Sequence, residues 1–304
     1  MIANRVTSVK TIVAAIARRH PSMVWRARHF KHFHRMLKLH TDFQSIPDLW
    51  TYVVRAAIKN GNNRRWALMA DKYAVRNEVA RICGADYLIP LEGRWERPAD
   101  IDFDALPSQF ILKTNNGCGT NIFVHDKSQI DRDAIVAELN KSLTFPYPEL
   151  TGQLHYSLIK PCVIAEKLMV QPGLCSLTDY KIHCVNGEPV VIYRYLERSE
   201  VNHFAYKLHA FTPLWQQIGH YQDPAEVCGN GPDPDRPACL DEMLSLARKL
   251  SAGEEYVRVD FYIIDNHIYF GEMTYTPDVG ANTAFKPYMK VMNHILQIIK
   301  KEHK

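Results

Sequence analysis

Two acidic residues, Asp260 and Glu272, flank a short polar turn in VRVDFYIIDNHIYFGEMT, residues 257–274. Apolar residues alternate with polar ones on either side of Asp265-Asn266-His267, which predicts a hairpin of two half-buried strands. Folded symmetrically about Asn266, the hairpin sets Asp260 opposite Glu272 and Arg258 opposite Thr274. Arg258, Asp260 and Tyr262 then share a face with Ile268, Phe270, Glu272 and Thr274, while Val257, Val259, Phe261 and Ile263 point away. Directly opposed side chains have Cβ atoms roughly 4.5 to 5.5 Å apart, and like charges so placed destabilise a sheet. Two remedies are open. Hard carboxylate oxygens suit Mg²⁺, which takes one or two of them together with water and substrate phosphates; alternatively, Arg258 neutralises the pair with no metal present. A slip of one residue in register would dismantle either arrangement.

Other stretches could grip phosphate. In FILKTNNGCGTNIFV, residues 110–124, a small loop bearing Gly117 and Gly119 joins two short strands, and its backbone N–H groups could close on an anion beside Lys113. A Gly-x-Gly of this kind is also an ordinary hairpin corner. The chain has no Walker sequence, and GCGTNI lacks the third glycine and the helix of a dinucleotide fingerprint. Cys118 has no identifiable histidine partner and reads as a small loop residue. In DYKIHCVNGEPVVIYRYL, residues 179–196, Asn186-Gly187 predicts a tight hairpin in which Asp179 faces Arg194 and Lys181 faces Ile192. Asp179 and Lys181 share a face, and a plain salt bridge between Asp179 and Arg194 is the alternative to a functional role.

The elements that must carry these residues follow from periodicity. Residues 1–82 read mainly as helices, broken at Gly61-Asn62-Asn63, with a further helix from near Asp71 to Gly84. One short strand, YLIPL (87–91), lies in a connecting loop. QFILK and NIFVH are strands, DRDAIVAELNKSL is a helix, and CVIAEKLMV is an apolar strand. After the Asn-Gly hairpin, a polar, Pro-rich excursion fills 199–237. Helix 239–251, the hairpin at 256–275 and a basic-ended C-terminal helix complete an α+β order of antiparallel sheets.

At 304 residues, with 46% hydrophobic and 23% charged residues, the composition is that of a globular chain. Seven cysteines without a CxxC pair imply neither a disulfide framework nor a zinc ribbon, and reduced thiols in a cytoplasm are the simplest reading. The net charge of +4 is uneven: residues 1–40 hold nine Lys or Arg and five His with no acid, while the remaining 28 Lys and Arg face all 33 acids. TIVAAIA (11–17) is too short to span a bilayer, and no small-residue cleavage site follows it. The basic arm is either a solvated helix packed on its own domain or a surface for anionic lipid or a polyanionic substrate. No motif for nucleic acid accompanies it, so none is expected as a partner.

RVDFYIIDNHIYFGEMTYTPDVG resembles the C-terminal signature of ATP-grasp enzymes, with Arg258, Asp260 and Glu272 matching and Thr274 standing where that family usually has Asn. DKYAVR (71–76), FILKTNNGCGTNIFV, AEKLM (165–169) and DYKIHCVNGEPV agree in order. Together with YLIPL and LPSQFILKTNNGCG, they are similar to the TupA-like branch, associated with teichuronopeptide and other surface-polysaccharide biosynthesis. The resemblance covers residues 71–285.

This resemblance implies an α+β ATP-grasp fold, two subdomains gripping ATP between antiparallel sheets, with a helical N-terminal region. The divisions would be 1–84, a lid subdomain at 85–161 and a metal-bearing subdomain at 162–304. Lys72 and Lys113 would contact the α- and β-phosphates, and Asn116, Gly117, Cys118, Gly119 and Thr120 would close over the γ-phosphate. Glu166 would accept from the adenine amino group, with Lys167 and Leu168 at the hinge. Asp179 would orient Lys181 and Arg194 near the phosphates or the acceptor carboxylate. Arg258 would stabilise an oxyanion, and Asp260, Glu272 and Thr274 would hold Mg²⁺. The implied reaction is ATP-dependent joining of a carboxylate to an amine through an acyl phosphate, on a surface polysaccharide or its sugar precursor. An ATP-grasp kinase and a non-catalytic nucleotide- or glycan-binding protein are the alternatives. The setting would be the cytoplasm, at the inner face of the membrane if the basic arm meets lipid.

Overall fold

A computed structural model describes residues 14–33, 36–39, 42–171, 176–196, 207–222, 235–277 and 286–303. Residues 14–19 are helical, followed by α1 (Pro21–Phe33), α2 (Leu49–Lys59), α3 (Arg64–Ala70) and α4 (Val75–Ile82). Side chains fix the starts. Asp48 caps α2 by accepting from Thr51 N at 2.7 Å, and Asn63 caps α3 by accepting from Arg65 N and Trp66 N. The helix expected from Asp71 begins only at Val75, because Asp71 Oδ1 accepts from Tyr73 N and Ala74 N and holds the intervening residues in a turn.

The first sheet has the order β1-β4-β2-β3, formed by β1 (Leu91–Trp95), β2 (Phe110–Thr114), β3 (Ile122–Val124) and β4 (Val163–Lys167), all antiparallel. One face packs on α5 (Arg132–Thr144) through Phe110, Leu112, Val163, Ala165 and Leu139. A short helix, α6 (Tyr147–Thr151), leads back to β4. Two expectations need correction. The strand placed at 87–91 starts only at Leu91, since 85–87 form a 3-10 turn and Leu88 makes one bridge to Phe270 of the other sheet. A division at 161/162 would also cut this sheet, because β4 pairs with both β1 and β2.

The second sheet has the order β10-β9-β5-β6-β7-β8. It comprises β5 (Asp179–Val185), β6 (Glu188–Leu196), β7 (Lys207–Phe211), β8 (Gln217–Gln222), β9 (Tyr256–Ile264) and β10 (His267–Thr274). The segment expected to be a polar excursion thus contributes two strands, while 197–206 and 223–234 lie outside the described residues. On one face Ile182, Val259, Phe261 and Met273 pack against α7 (Leu240–Ser251), α3 and α4. On the other, Val185, Tyr193, Leu208 and Tyr256 pack against α2 and α8 (Lys286–Glu302). That second apolar layer runs along β6 and β7 as far as Tyr195 and Leu208. The polar residues of β5, β9 and β10 lie beside it on the same face, Lys181 opposite Tyr193 and Asp179 opposite Tyr195.

Candidate functional site

The carboxylate pair depends on a detail of the β9–β10 hairpin. Its turn is Asp265-Asn266, with φ of 51° and 61°, a left-handed pair that Asp and Asn tolerate and that joins Ile264 directly to His267. The ladder runs Ile263 to Ile268 and Phe261 to Phe270, then shifts by one residue at Gly271, after which Asp260 lies opposite Glu272 and Arg258 opposite Thr274. The expected pairing therefore occurs, though the turn is one residue shorter than a symmetric fold about Asn266 requires. The bulge also corrects the faces. Ile268 and Phe270 lie in the core with Phe261, not beside Glu272, and only Glu272 and Thr274 join Asp260. Gly271 suits the bulge because a Cβ there would lie 3.1 Å from Asp260 O and from the Tyr262 ring.

Asp260 is 3% exposed and doubly compensated. Arg258 forks onto it, Nε to Oδ1 and Nη2 to Oδ2 at 2.7 Å each, and Lys181 Nζ approaches Oδ2 at 2.6 Å from the neighbouring strand. Arg258 Nη2 also reaches Glu272 Oε1 and Thr274 Oγ1, both at 3.2 Å, and Thr274 Oγ1 donates to the same Glu272 oxygen. Lys181 Nζ lies 3.6 Å from Asp179 Oδ2 as well. Of the three carboxylates about these two cations Glu272 is the open one, its side chain 37% exposed where those of Asp179 and Asp260 are 8% and 4%. Among the described residues no group of three or more His, Cys, Asp or Glu could hold a metal unaided. Two carboxylates and a hydroxyl fit the mode in which Mg²⁺ arrives with substrate phosphates supplying its remaining ligands.

Arg194 does not belong to this set. The β5–β6 ladder carries its own irregularity next to His183, so Tyr180, not Asp179, lies opposite Arg194, and Lys181 lies opposite Tyr193. Arg194 therefore sits on the reverse face, its guanidinium 5.8 Å from the centre of the Tyr180 ring. Neither the expected role beside Lys181 nor a salt bridge to Asp179 survives this register. Lys181 instead has the Tyr195 ring 5.4 Å from its ammonium.

In the first sheet, Lys113 and Glu166 project from the face opposite α5 and meet at 2.6 Å. Arg76 of α4 takes the other Glu166 oxygen at 2.8 Å and also donates to Ile89 O. Both oxygens assigned to the adenine amino group are thus bound to cations. Lys167 is exposed beside the buried Leu168, and its backbone N–H donates to Pro90 O. The glycine loop is gathered from several sides. Lys72 donates to Gly117 O, Asn116 Nδ2 to Leu143 O at 3.3 Å, and the Thr120 and Thr114 hydroxyls lie 2.7 Å apart. Cys118 Sγ sits 3.0 Å from the Tyr147 hydroxyl, and Gly119 adopts φ +75° with open space about it. Asn115 ties the loop base to Asp71 Oδ1 at 2.9 Å and to Cys162 N at 2.7 Å.

Five residues that carry no signal in the sequence surround the loop and the hairpin. Thr276, just beyond β10, donates to Gln153 Oε1, and Gln153 Nε2 donates to the Tyr147 hydroxyl at 2.6 Å. The Tyr156 hydroxyl is shifted to higher pKa by burial first and then by the charge of Glu272, and its ring stands edge-on to that of Tyr147, 5.5 Å between centres. His155 has both ring nitrogens buried without a partner, and burial alone lowers its pKa to about 3. His183, opposite Arg258 in the ladder, is fully buried with Nδ1 2.8 Å from the Tyr256 hydroxyl. Burial, then Arg258 and Lys181, hold it well below the usual histidine range, so it adds no charge beside the guanidinium. Burial of a polar side chain at an unrelated sequence position leaves no local pattern, which is why only the structure identifies these five.

The family model described as TupA-like ATP-grasp matches residues 53–292. The chain belongs to that family. No curated protein matches it. Among solved structures, D-alanine–D-alanine ligase from Helicobacter pylori is 14% identical, covering 76% of this chain and 61% of its own, with a TM-score of 0.38. N5-carboxyaminoimidazole synthetase from Staphylococcus aureus, complexed with ADP, is 14% identical over 72% of this chain and 47% of its own, with a TM-score of 0.40. D-alanine–D-alanine ligase from Bacillus anthracis, complexed with ATP, is 17% identical over 77% and 68%, with a TM-score of 0.38. This chain thus spans less than two thirds of the first two.

Proposed function

We propose that the protein is an ATP-dependent carboxylate–amine ligase working through an acyl phosphate, acting on a uronic acid of a surface polysaccharide or its precursor. The observation that carries this reading is the half-open Glu272 beside a buried, doubly compensated Asp260, on the face that Lys181 and Arg258 share. A substrate carboxylate oxygen attacks the γ-phosphorus of ATP and ADP leaves; an amine then attacks the acyl carbon, phosphate leaves and the nitrogen loses a proton. Asp260, Glu272 and the Thr274 hydroxyl would hold Mg²⁺, which when bound neutralises phosphate charge. Lys181 and Arg258 supply cations already in place for the charge that develops on phosphate and acyl oxygens, and such pre-organised charge needs no reorganisation during the reaction. Lys72, Lys113 and the backbone of residues 116–120 grip the remaining phosphates, with adenine at the Lys167-Leu168 hinge. Closure of the loop would keep water from the acyl phosphate.

Family membership supports a glycan acceptor, and the basic arm supports a cytoplasmic setting near the membrane. No described helix is long and apolar enough to cross a membrane. The test is ADP release with uronates in the presence and absence of amines, with product analysis. Amide formation with amine-dependent ADP release is the expected result; ADP release indifferent to amine, with a stable phosphate ester, would assign a kinase instead.

A further inference from the structure

We propose that the N-terminal helical segment docks the protein onto an anionic lipid surface. The segment has one face that holds it and one that offers it. On the holding face, Trp25 is fully buried, its Nε1 donates to Gly152 O at 3.2 Å, and Arg18 binds Glu149 Oε1 through Nε and Nη2 at 3.0 and 2.6 Å. Gly152 has φ +79°, and a Cβ there would lie 2.4 Å from the indole nitrogen, so the seat accepts Trp25 only while position 152 is glycine. Ala14 and Ala17 are buried as well.

The other face carries Ile16, Met23 and Phe30, exposed by 47%, 53% and 53%. Met23 and Phe30 are seven residues apart on α1, close to two helical turns, and so form a ridge, with Arg26 between them on the same side at spacings of three and four. Ile16 and Arg19 add an exposed apolar residue and a cation on the helical segment that precedes the break at His20. Single exposed apolar residues are ordinary on a soluble surface, but apolar residues that share a helix side with a cation, in a segment without acids, are the pattern of a helix lying in a lipid interface. The occupant follows from charge. Residues 1–40 contain no acid, so a second copy would bring two basic faces together. A dissolved polyanion would be held by the cations and would leave the ridge in water.

The experiment is co-sedimentation of the full chain with vesicles of phosphatidylglycerol, or of phosphatidylcholine alone. Binding is expected to the anionic vesicles only and to weaken with salt. Each cation contributes about fivefold in affinity, so R19Q/R26Q weakens binding some 25-fold. I16S/M23S/F30S loses it at least tenfold while melting and ATP binding stay unchanged. Should the triple variant be unstable, Phe30→Trp reports instead, by a blue shift on anionic vesicles and quenching by brominated lipid. The proposal is overturned by absence of wild-type binding at low salt, by unchanged vesicle binding in the serine variant, by an emission spectrum of the Phe30→Trp variant that vesicles do not shift, or by a serine variant that changes only the oligomeric state.

Discussion

Asp260 and Glu272 are both acidic and face each other, yet their surroundings give them different work. Asp260 is buried with two cations on its oxygens, so Asp260→Asn takes from Arg258 its bidentate partner and from Lys181 its nearest one, leaving them the longer contacts to Glu272 and Asp179. Breaking a buried pair from one side costs about 3–5 kcal/mol, and denaturant unfolding should show a loss of that order. Glu272 is part-exposed and Arg258 keeps Asp260 when it is replaced. Glu272→Gln should therefore change stability by no more than about 0.5 kcal/mol while lowering Mg²⁺-dependent ATP turnover at least a hundredfold. Equal destabilisation by the two substitutions would reduce the pair to a structural ion cluster. His155 makes a separate prediction. Its folded pKa is depressed to about 3 against 6.5, so folded protein resists protonation where the unfolded chain accepts it. Stability is full above pH 6.5 and falls as the pH drops toward 3, by at most about 5 kcal/mol from this residue. His155→Phe should remove about one proton from the uptake on unfolding between pH 6 and 4; an unchanged slope would place the acid sensitivity elsewhere.

The elements show what alternation can and cannot convey. The strands of both hairpins and their helices are legible because period-two and period-3.6 patterns are local, and Asn186-Gly187 takes the left-handed pair its sequence demands, with φ of 49° and 81°. Bulges are not local in this sense. The shift at Gly271 exists because Ile268 and Phe270 are drawn into the core with Phe261 while Glu272 faces the opposite way, a conflict that only the packed sheet resolves. The same kind of irregularity beside His183 moves Arg194 off the site, so a ladder counted outward from the turn assigns it wrongly. QIGHYQ escapes detection because β8 is the sheet's edge, where apolar alternation is slight, and KLHAF, though paired on both sides, because it is a five-residue run inside a polar, Pro-rich segment. Gly271→Val tests the bulge. A branched side chain 3.1 Å from Asp260 O must push the backbone, costing about 1–3 kcal/mol and displacing Glu272. Melting and Mg²⁺-dependent turnover should both fall, and wild-type values for both would mean that the bulge is incidental.

Across the whole molecule, the two sheets are tied by polar contacts. The Thr276-Gln153-Tyr147-Cys118 chain joins the β9–β10 hairpin to the glycine loop, and Lys72 holds the same loop from α4's leading turn. A ligand that engages the hairpin and the loop together should stabilise the fold as a unit. At a hundredfold excess over Kd, binding contributes about 2.7 kcal/mol, which raises the melting temperature of a chain this size by roughly 5 °C. Because Glu272 is the carboxylate of the site open to a ligand, that shift should require ATP and Mg²⁺ together, and in Glu272→Gln it should shrink to the value seen with ATP and a chelator. Gln153→Leu separates the two halves of the argument: the hairpin keeps its carboxylates, so metal dependence stays, while the loop loses its tie and a larger part of the shift disappears. If Glu272→Gln retains the full Mg²⁺-dependent shift, the nucleotide's metal is held elsewhere, and the hairpin's acids serve only to anchor Arg258.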